Sequence, residues 1–277
     1  MTQEQFKHAV VCADDYALNA PVSQGIVALS LLGRLSATSV MSLSPRWAQD
    51  VAALRDVRDR LDVGLHLDWT SPFAIDAGHG HGLGVVMARS ALHLYRQREV
   101  QMQIERQLDA FELHWQAAPD HIDGHQHIQQ FAVIRDALAE VLLRRYGTRP
   151  QRPWLRVSQV AQPGLKAHVI SAMGAQALHD WAQAHHWPTV SPLLGAYGFD
   201  GDLAGYAQHM QTWLAALPAD QTAVLMCHPA ASAQAGDEIG PARHREFAYL
   251  ASHDFAQHLR DARVRLVRGS GKPIFEN

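Results

Sequence analysis

Short apolar segments alternate with helical patterns seven or eight times along this chain of 277 residues. The segments 8–13 (HAVVCA), 61–67 (LDVGLHL) and 222–227 (TAVLMC) are typical of buried strands, since they are short and mostly apolar. Strands that alternate with helices predict a parallel sheet with crossover helices. The length suits an α/β barrel, closed or partly open, and we expect a single domain over residues 1–277.

Residues 68–89 interrupt this alternation with the glycine-rich run DAGHGHGLG. Because long loops are uncommon in compact domains and often functional, we expect either a lid or binding loop here, or a solvated excursion. An N-cap at Asn19, with Pro21 in the first turn and Gly33 at the end, predicts the first helix. Further strands are expected at 38–43, 154–157, 189–191 and 264–267, and further helices at 88–116, 131–146, 166–185, 203–217 and 243–260.

Composition and charge exclude several classes of protein. Lysine and arginine total 24 against 27 acidic residues, without the basic block that nucleic-acid binders carry. No stretch approaches the roughly 18 apolar residues of a membrane span, and the N-terminal apolar stretch is too short for a signal peptide. Cys12 and Cys227 are expected to be buried thiols. We expect a cytoplasmic protein that binds no nucleic acid and does not span a membrane.

Carboxylates and histidines lie at the ends of four strand candidates. They are Asp14 and Asp15 after the first strand, His66 in the third, the HIDGHQH group of His121, Asp123, His125 and His127, and His228 after TAVLMC. The C-terminal ends of parallel strands meet at one rim, where (β/α) barrels place their chemistry. In an extended segment the HIDGHQH side chains would share one face. Histidine nitrogens with a carboxylate therefore predict a divalent catalytic metal, which lowers the pKa of bound water.

The adjacent aspartates set a geometric condition on this site. One carboxylate can bind the metal while the other takes the proton from water. Neighbouring side chains on a strand point in opposite directions, so Asp14 and Asp15 can both reach the site only if the strand has already turned into a loop. Taken singly, an aspartate pair after a strand is more typical of a helix cap or a solvated pair than of a catalytic site. A single histidine such as His66 is more typical of a packed core than of a metal site.

The chain resembles the YdjC-like carbohydrate deacetylases, which include chitooligosaccharide and hopanoid-associated N-deacetylases. The resemblance rests on four motifs in matching order: ADDY at 13–16, GLHL at 64–67, HIDGHQH at 121–127 and CHP at 227–229. It covers the chain from Val11 to about Leu266. It implies a (β/α) barrel-like fold with mostly parallel strands and outer helices. It also implies metal-dependent hydrolysis of an N-acetyl group on a sugar, and it allows a homodimer.

Carried over by position, the resemblance implies Asp15, His66 and His125 as ligands of one divalent metal ion. Asp14 would then be the general base. The resemblance implies magnesium, with which the family is usually described. The histidine-rich ligand set instead favours zinc, because imidazole is a softer ligand than carboxylate or water.

The general acid stays open among three histidines. His228 is the candidate to protonate the leaving amine, with His121 and His127 as alternatives. Asp123 is expected to orient a ligating histidine. Otherwise we expect His121, Asp123 and His127 to support the ligands or to contact the substrate.

The chain also departs from the family pattern. Ala17 stands where the family usually has glycine, and Gln129 where it has a final histidine. Neither change removes an expected ligand, but both leave the substrate open. Two other functions stay open beside sugar deacetylation. One is a non-catalytic sugar-binding protein of the same fold, and the other is a metal-dependent phosphoesterase, whose substrate would favour a basic rim.

Overall fold

The strands form a curved parallel sheet, as described by a computed structural model over residues 6–160 and 170–274. Within these residues nine strands pair in the order β6-β5-β4-β3-β2-β1-β8-β7, with β9 beside β1. The strands are β1 (Lys7–Tyr16), β2 (Ala37–Val40), β3 (Asp62–Leu67), β4 (His121–Gly124), β5 (Trp154–Arg156), β6 (Thr189–Val190), β7 (Leu193–Leu194), β8 (Ala223–Cys227) and β9 (Val264–Leu266).

Helices connect the successive strands other than β6 and β7, as expected for parallel neighbours. They are α1 (Ala20–Leu31), α2 (Trp47–Arg55), α3 (Pro72–Asp76), α4 (Leu83–Ala91), α5 (Gln97–Trp115), α6 (Ile134–Tyr146), α7 (Ala175–Ala184), α8 (Leu203–Ala216), α9 (Gly240–Ala251) and α10 (His253–Asp261), with a 3₁₀ helix at His125–Gln130. Among the described residues, no helix is both long enough and apolar enough to cross a membrane.

The two edges of the sheet lie close together. Edge strands β6 and β7 are separated in the chain only by Ser191 and Pro192. Leu193 N donates to Gln159 O at 2.8 Å, and Val160 forms a parallel bridge to Leu193. The chain leaving β5 therefore meets β7, and the sheet curls round on itself. The predicted (β/α) barrel-like class with parallel strands and outer helices is confirmed.

The first helix begins and ends as its sequence predicts. Asn19 Oδ1 accepts a hydrogen bond from Val22 N at 3.0 Å, and Pro21 lies in the first turn. Gly33 follows the helix with φ +66°, a left-handed conformation that glycine adopts without steric cost. Val22, Ile26 and Leu29 are buried against the sheet core.

The expectation of a long loop over residues 68–89 is wrong. Helix α3 lies within this range and α4 begins in it. Helix α3 begins at a cap in which Ser71 Oγ accepts from Phe73 N at 3.1 Å. The single helix expected over 88–116 is also wrong, since α4 ends at Ala91 and α5 begins at Gln97. Leu92 and Leu94 continue the apolar pattern through the break between these helices, but both side chains are exposed.

Residues 243–260 form two helices where one was expected. The Ser252 side chain separates them by accepting from Phe255 N at 3.3 Å, which caps α10. The two-residue strand β7 was not expected from the sequence. Of the helix expected over 166–185, residues 166–169 lie outside the described residues, and Ala175–Ala184 is helical. Both cysteines are buried free thiols, as predicted.

Candidate metal centre

A bulge in β1 turns two neighbouring carboxylates toward the same region. From Ala13 to Tyr16 the strand takes three steps while its partner β2 takes two, from Thr38 to Val40. Asp15 absorbs the extra residue with φ +69°. The geometric condition set by the sequence is therefore met inside the strand, by a bulge rather than by a loop.

Asp15 lies beside His66 of strand β3 and His125, which directly follows strand β4. Its Oδ1 is 3.3 Å from His66 Nε2 and 3.1 Å from His125 Nδ1. One ligand atom from each of the three residues lies within 4.8 Å of the others. His66 and Asp15 are buried, whereas the His125 side chain is 21% exposed, so the group opens to solvent on the His125 side.

The charge state of Asp15 suits a ligand. Burial raises the pKa of its carboxyl, but Arg243, His125 and His66 outweigh that effect and hold the pKa well below its usual value. The carboxylate is therefore ionised, as metal binding requires. Two imidazole nitrogens and one carboxylate oxygen fit a divalent ion such as zinc with positions left open for water and substrate.

His66 is oriented by Asp123. Asp123 Oδ1 lies 2.7 Å from His66 Nδ1, which leaves Nε2 to face Asp15. Burial lowers the pKa of His66, whereas Asp123 and Asp14 raise it, to about 10. Because a ligating nitrogen must be unprotonated, an ion would displace this proton. Asp123 thus has the orienting position expected from the sequence. A carboxylate that accepts a hydrogen bond from a ligating histidine fixes the imidazole ring and raises the affinity for the metal.

Asp14 lies next to the three candidate ligands but is held by a different partner. Arg156 donates from Nη1 to Asp14 Oδ1 at 2.7 Å and from Nη2 to Oδ2 at 2.8 Å. Asp14 Oδ2 is 4.0 Å from His66 Nε2 and 3.9 Å from His228 Nε2. This oxygen therefore faces the space between the candidate ligands and His228.

His228 follows β8 directly, and its side chain is 13% exposed. Its backbone N–H donates to Glu246 Oε2 at 2.6 Å, and its ring packs edge-on against Phe199, with centroids 5.2 Å apart. Burial lowers the pKa of the imidazole to about 4, although Asp14 and Asp15 oppose that shift. The ring is consequently neutral near pH 7.

His121 and His127 lie in different surroundings. His121 is fully buried, stacks on Trp154 with centroids 4.4 Å apart, and has Nε2 2.9 Å from Ser39 Oγ. A Cβ at Gly64 would overlap the His121 ring, so the residue fills a close-packed position. His127 is half-buried, with Nδ1 3.0 Å from Ser158 Oγ.

The HIDGHQH segment is not extended throughout. Strand β4 ends at Gly124, and His125 begins the 3₁₀ helix, in which Gln126 and His127 have φ near +60°. The expected shared face of four side chains is therefore wrong. Gln129 is buried and donates to Arg156 O at 3.1 Å, away from the candidate ligands.

Sequence reasoning missed two arginines of the site. Arg156 ends the buried strand β5, and Arg243 lies on α9, where Nη2 donates to Asp15 Oδ2 at 2.7 Å. A charged residue at the C-terminal end of an apolar strand was a signal for Arg156. Arg243 carried no such signal, because a helical arginine is ordinarily a surface residue.

Comparison with known proteins places the chain in a family. The model of the YdjC-like protein family matches residues 8–261. A Mus musculus protein named carbohydrate deacetylase is 30% identical over 152 residues, which cover 50% of this chain and 48% of that protein. The aligned region thus spans about half the length of this curated relative.

Two solved structures share the fold. One, from Enterococcus faecalis V583, has a name that refers to cellobiose-phosphate cleavage. It is 20% identical, with a TM-score of 0.70 and coverage of 95% of this chain and 98% of its own. The other, an uncharacterized protein from Agrobacterium tumefaciens C58, is 13% identical, with a TM-score of 0.55 and coverage of 98% and 90%. Since the matched residues contain nearly the whole barrel and every candidate ligand, the chain belongs to the YdjC-like protein family.

Proposed function

We propose that the protein is a metal-dependent hydrolase that removes the N-acetyl group from an acetamido sugar. The observation that carries the proposal is the grouping of Asp15, His66 and His125 around one point, with Asp14 Oδ2 and His228 Nε2 beside it. Membership of the YdjC-like family and the mouse relative named carbohydrate deacetylase support a sugar amide as the substrate.

Asp15, His66 and His125 would hold the ion. A divalent ion in this position supplies Lewis acidity to a water molecule and to the acyl oxygen. Zinc suits the two imidazoles, while magnesium remains the alternative for the carboxylate-rich surroundings. Once His66 has lost the proton that an ion would displace, the carboxylates of Asp14, Asp15 and Asp123 face only two cationic side chains, those of Arg156 and Arg243. The site with His66 unprotonated therefore favours a cation.

Asp14 is the proposed general base. Arg156 holds both of its oxygens from one side, so the carboxylate cannot rotate, and Oδ2 faces the site. A carboxylate fixed in this way can take the proton of the attacking water without reorganising.

His228 is the proposed proton donor to the leaving amine. It is neutral near pH 7, so it must first receive a proton before it can give one away. Asp14 Oδ2, 3.9 Å from His228 Nε2, is the neighbouring group that holds a proton after water attack. The His228 side chain is partly exposed, so it can reach a bound substrate more easily than the fully buried His121 can.

The two alternative functions are less well supported. A phosphoesterase would need cations for its substrate, but both site arginines are already bound to carboxylates. A sugar-binding protein without turnover would not need the complete set of Asp14, Asp15, His66 and His125.

Acetate release from a panel of N-acetylated sugars tests the proposal. The protein is stripped of metal and reloaded with zinc, magnesium or manganese, and metal content is measured by mass spectrometry beside Asp15→Ala. We expect about one ion per chain, acetate release that depends on it, and loss of both in the variant. Phosphate release from sugar phosphates would instead favour the phosphoesterase. Sugar binding without turnover and without a bound metal would favour the non-catalytic sugar-binding protein.

A further inference from the structure

Arg243 connects the candidate metal ligand Asp15 to a second carboxylate. The Arg243 side chain is 4% exposed, donates from Nη2 to Asp15 Oδ2 at 2.7 Å, and donates from Nε to Asp237 Oδ2 at 2.9 Å. Asp237 precedes α9, and its Oδ1 also accepts from Ile239 N at 3.2 Å. The guanidinium is therefore held on one side by the segment that precedes its own helix and on the other side by β1.

The two oxygens of Asp15 have different partners as a result. Oδ1 faces His125 Nδ1 and His66 Nε2, whereas Oδ2 is engaged by Arg243 on the opposite side. We propose that Arg243, anchored by Asp237, is a positioning residue that restricts Asp15 to a single oxygen ligand of the metal ion. This inference rests on the metal site of the proposed function.

The backbone conformation of Asp15 explains why the Asp15 carboxylate needs the contact with Arg243. A non-glycine residue at φ +69° is held in a sparsely populated conformation, which persists only where the surroundings determine it. Asp15 lies in a bulge, so the ladder of β1 does not itself fix the carboxylate. Arg243, which is 228 positions away from Asp15 in the chain, supplies that constraint.

The backbone of Arg243 also reaches the segment after His228. Arg243 O accepts from Ala230 N at 3.1 Å, two residues beyond His228. One residue thus fixes the distance between the proposed metal ligand and the segment that carries the proposed proton donor. Lysine could keep the positive charge but not the fork of donors that joins Asp15 to Asp237.

Metal affinity of Arg243→Lys tests this role. Dissociation constants for Zn²⁺ and Co²⁺ are measured by chelator competition on the metal-free protein, together with its thermal midpoint and the Co²⁺ absorption spectrum. We expect affinity to fall about 10- to 100-fold, as for other residues that orient a ligand. Lysine keeps the positive charge at position 243, so a fall in metal affinity would not come from altered electrostatic attraction or repulsion at the site. We also expect an altered Co²⁺ spectrum, since the second oxygen of Asp15 becomes free to bind.

Arg245→Lys is the matched control. Arg245 lies on the same helix and donates to the carbonyls of Phe199, Asp200 and Gly201, and lysine cannot keep all of these bonds. It does not contact Asp15 in the described structure, so we expect wild-type metal affinity even if the thermal midpoint falls.

The outcomes separate this inference from the proposed function. Wild-type affinity and an unchanged spectrum in Arg243→Lys would overturn the inference while leaving the metal site in place. Absence of metal binding in the wild type would overturn both. If Arg243→Lys does not fold, Asp237→Asn replaces it, since this variant leaves the Arg243–Asp15 contact and removes the anchor. We expect a smaller loss of affinity there, and an unchanged affinity would contradict the inference.

Discussion

Arg156 and Asp14 form a buried, two-pronged ion pair between strands β5 and β1, with N–O distances of 2.7 and 2.8 Å. Arg156 Nη1 also lies 3.0 Å from Asp123 Oδ2, so one guanidinium contacts both the proposed base and the carboxylate that orients His66. The proposed general base and the metal site consequently share a rigid support, although the two residues are 142 positions apart in the chain.

Removing the Arg156 guanidinium should lower the free energy of unfolding more than removing one partner of a surface ion pair does. Arg156→Met leaves the charges of Asp14 and Asp123 buried without their partner, so we expect the free energy of unfolding to fall by about 3–5 kcal/mol. Arg144→Met is the control, because Arg144 is 55% exposed where it pairs with Glu105, and its loss should cost about 1 kcal/mol or less. Urea denaturation of the metal-free proteins measures both. Equal losses would contradict the central role of Arg156.

Asp14→Asn should separate turnover from metal binding. Asparagine cannot accept the proton of water, so kcat should fall by about 10²- to 10⁴-fold. Asp15, His66 and His125 are unchanged, so metal content should stay near the wild-type value. Steady-state acetate release and mass spectrometry give the two readings. A fully active variant would remove Asp14 from the role of base.

His125→Ala should lose the metal, whereas His127→Ala should retain it. Of these two histidines, His125 has a ring nitrogen beside Asp15, at 3.1 Å, whereas His127 Nδ1 is paired with Ser158. Both residues lie on the same 3₁₀ helix, so the comparison controls for local disturbance. Metal content after dialysis against a limited zinc concentration decides the matter, and the reverse order would move the ligand to His127.

Glu246→Gln should alter how stability depends on pH. Burial raises the pKa of Glu246 from 4.5 to about 7, against the bonds from His228 N–H and Tyr197. The native state then holds the proton more tightly than the unfolded state. The contribution to stability is complete below about pH 4.5 and is lost as the pH rises to about 7.

Glutamine does not ionise and escapes this loss. From pH 5 to pH 8, Glu246→Gln should therefore gain up to about 3 kcal/mol relative to the wild type. Denaturation of both metal-free proteins at several pH values measures the difference. Parallel curves would show that Glu246 ionises normally in the native state.

The left-handed backbone at Ala17 should be visible in stability. Ala17 is buried and has φ +70°. Ala17→Gly and Ala13→Gly each remove a buried methyl and add chain freedom, but only the first relieves a left-handed conformation. We expect Ala17→Gly to be the more stable of the two by about 1–2 kcal/mol. Thermal denaturation compares them, and equal midpoints would contradict the assignment of strain.

Much of the architecture is predictable from local pattern. Apolar runs such as TAVLMC predict their strands within a residue, because burial on both faces of a parallel sheet demands continuous apolar sequence. Helix boundaries inside residues 68–116 and 243–260 are not predictable in this way. A two-turn helix and a five-residue break have little effect on periodicity, whereas the caps at Ser71 and Ser252 decide where the helices begin.

The sequence by itself determined which ionisable residues end the strands, and therefore that carboxylates and imidazoles gather at one rim. Only the tertiary structure decided their pairing. The bulge that turns Asp15 inward depends on the register of β1 against β2. The contacts of Arg156 and Arg243 join residues 142 and 228 positions apart. Such contacts exist because the folded sheet places β1 between β2 and β8 and packs α9 beside their ends, an arrangement that no local sequence pattern encodes.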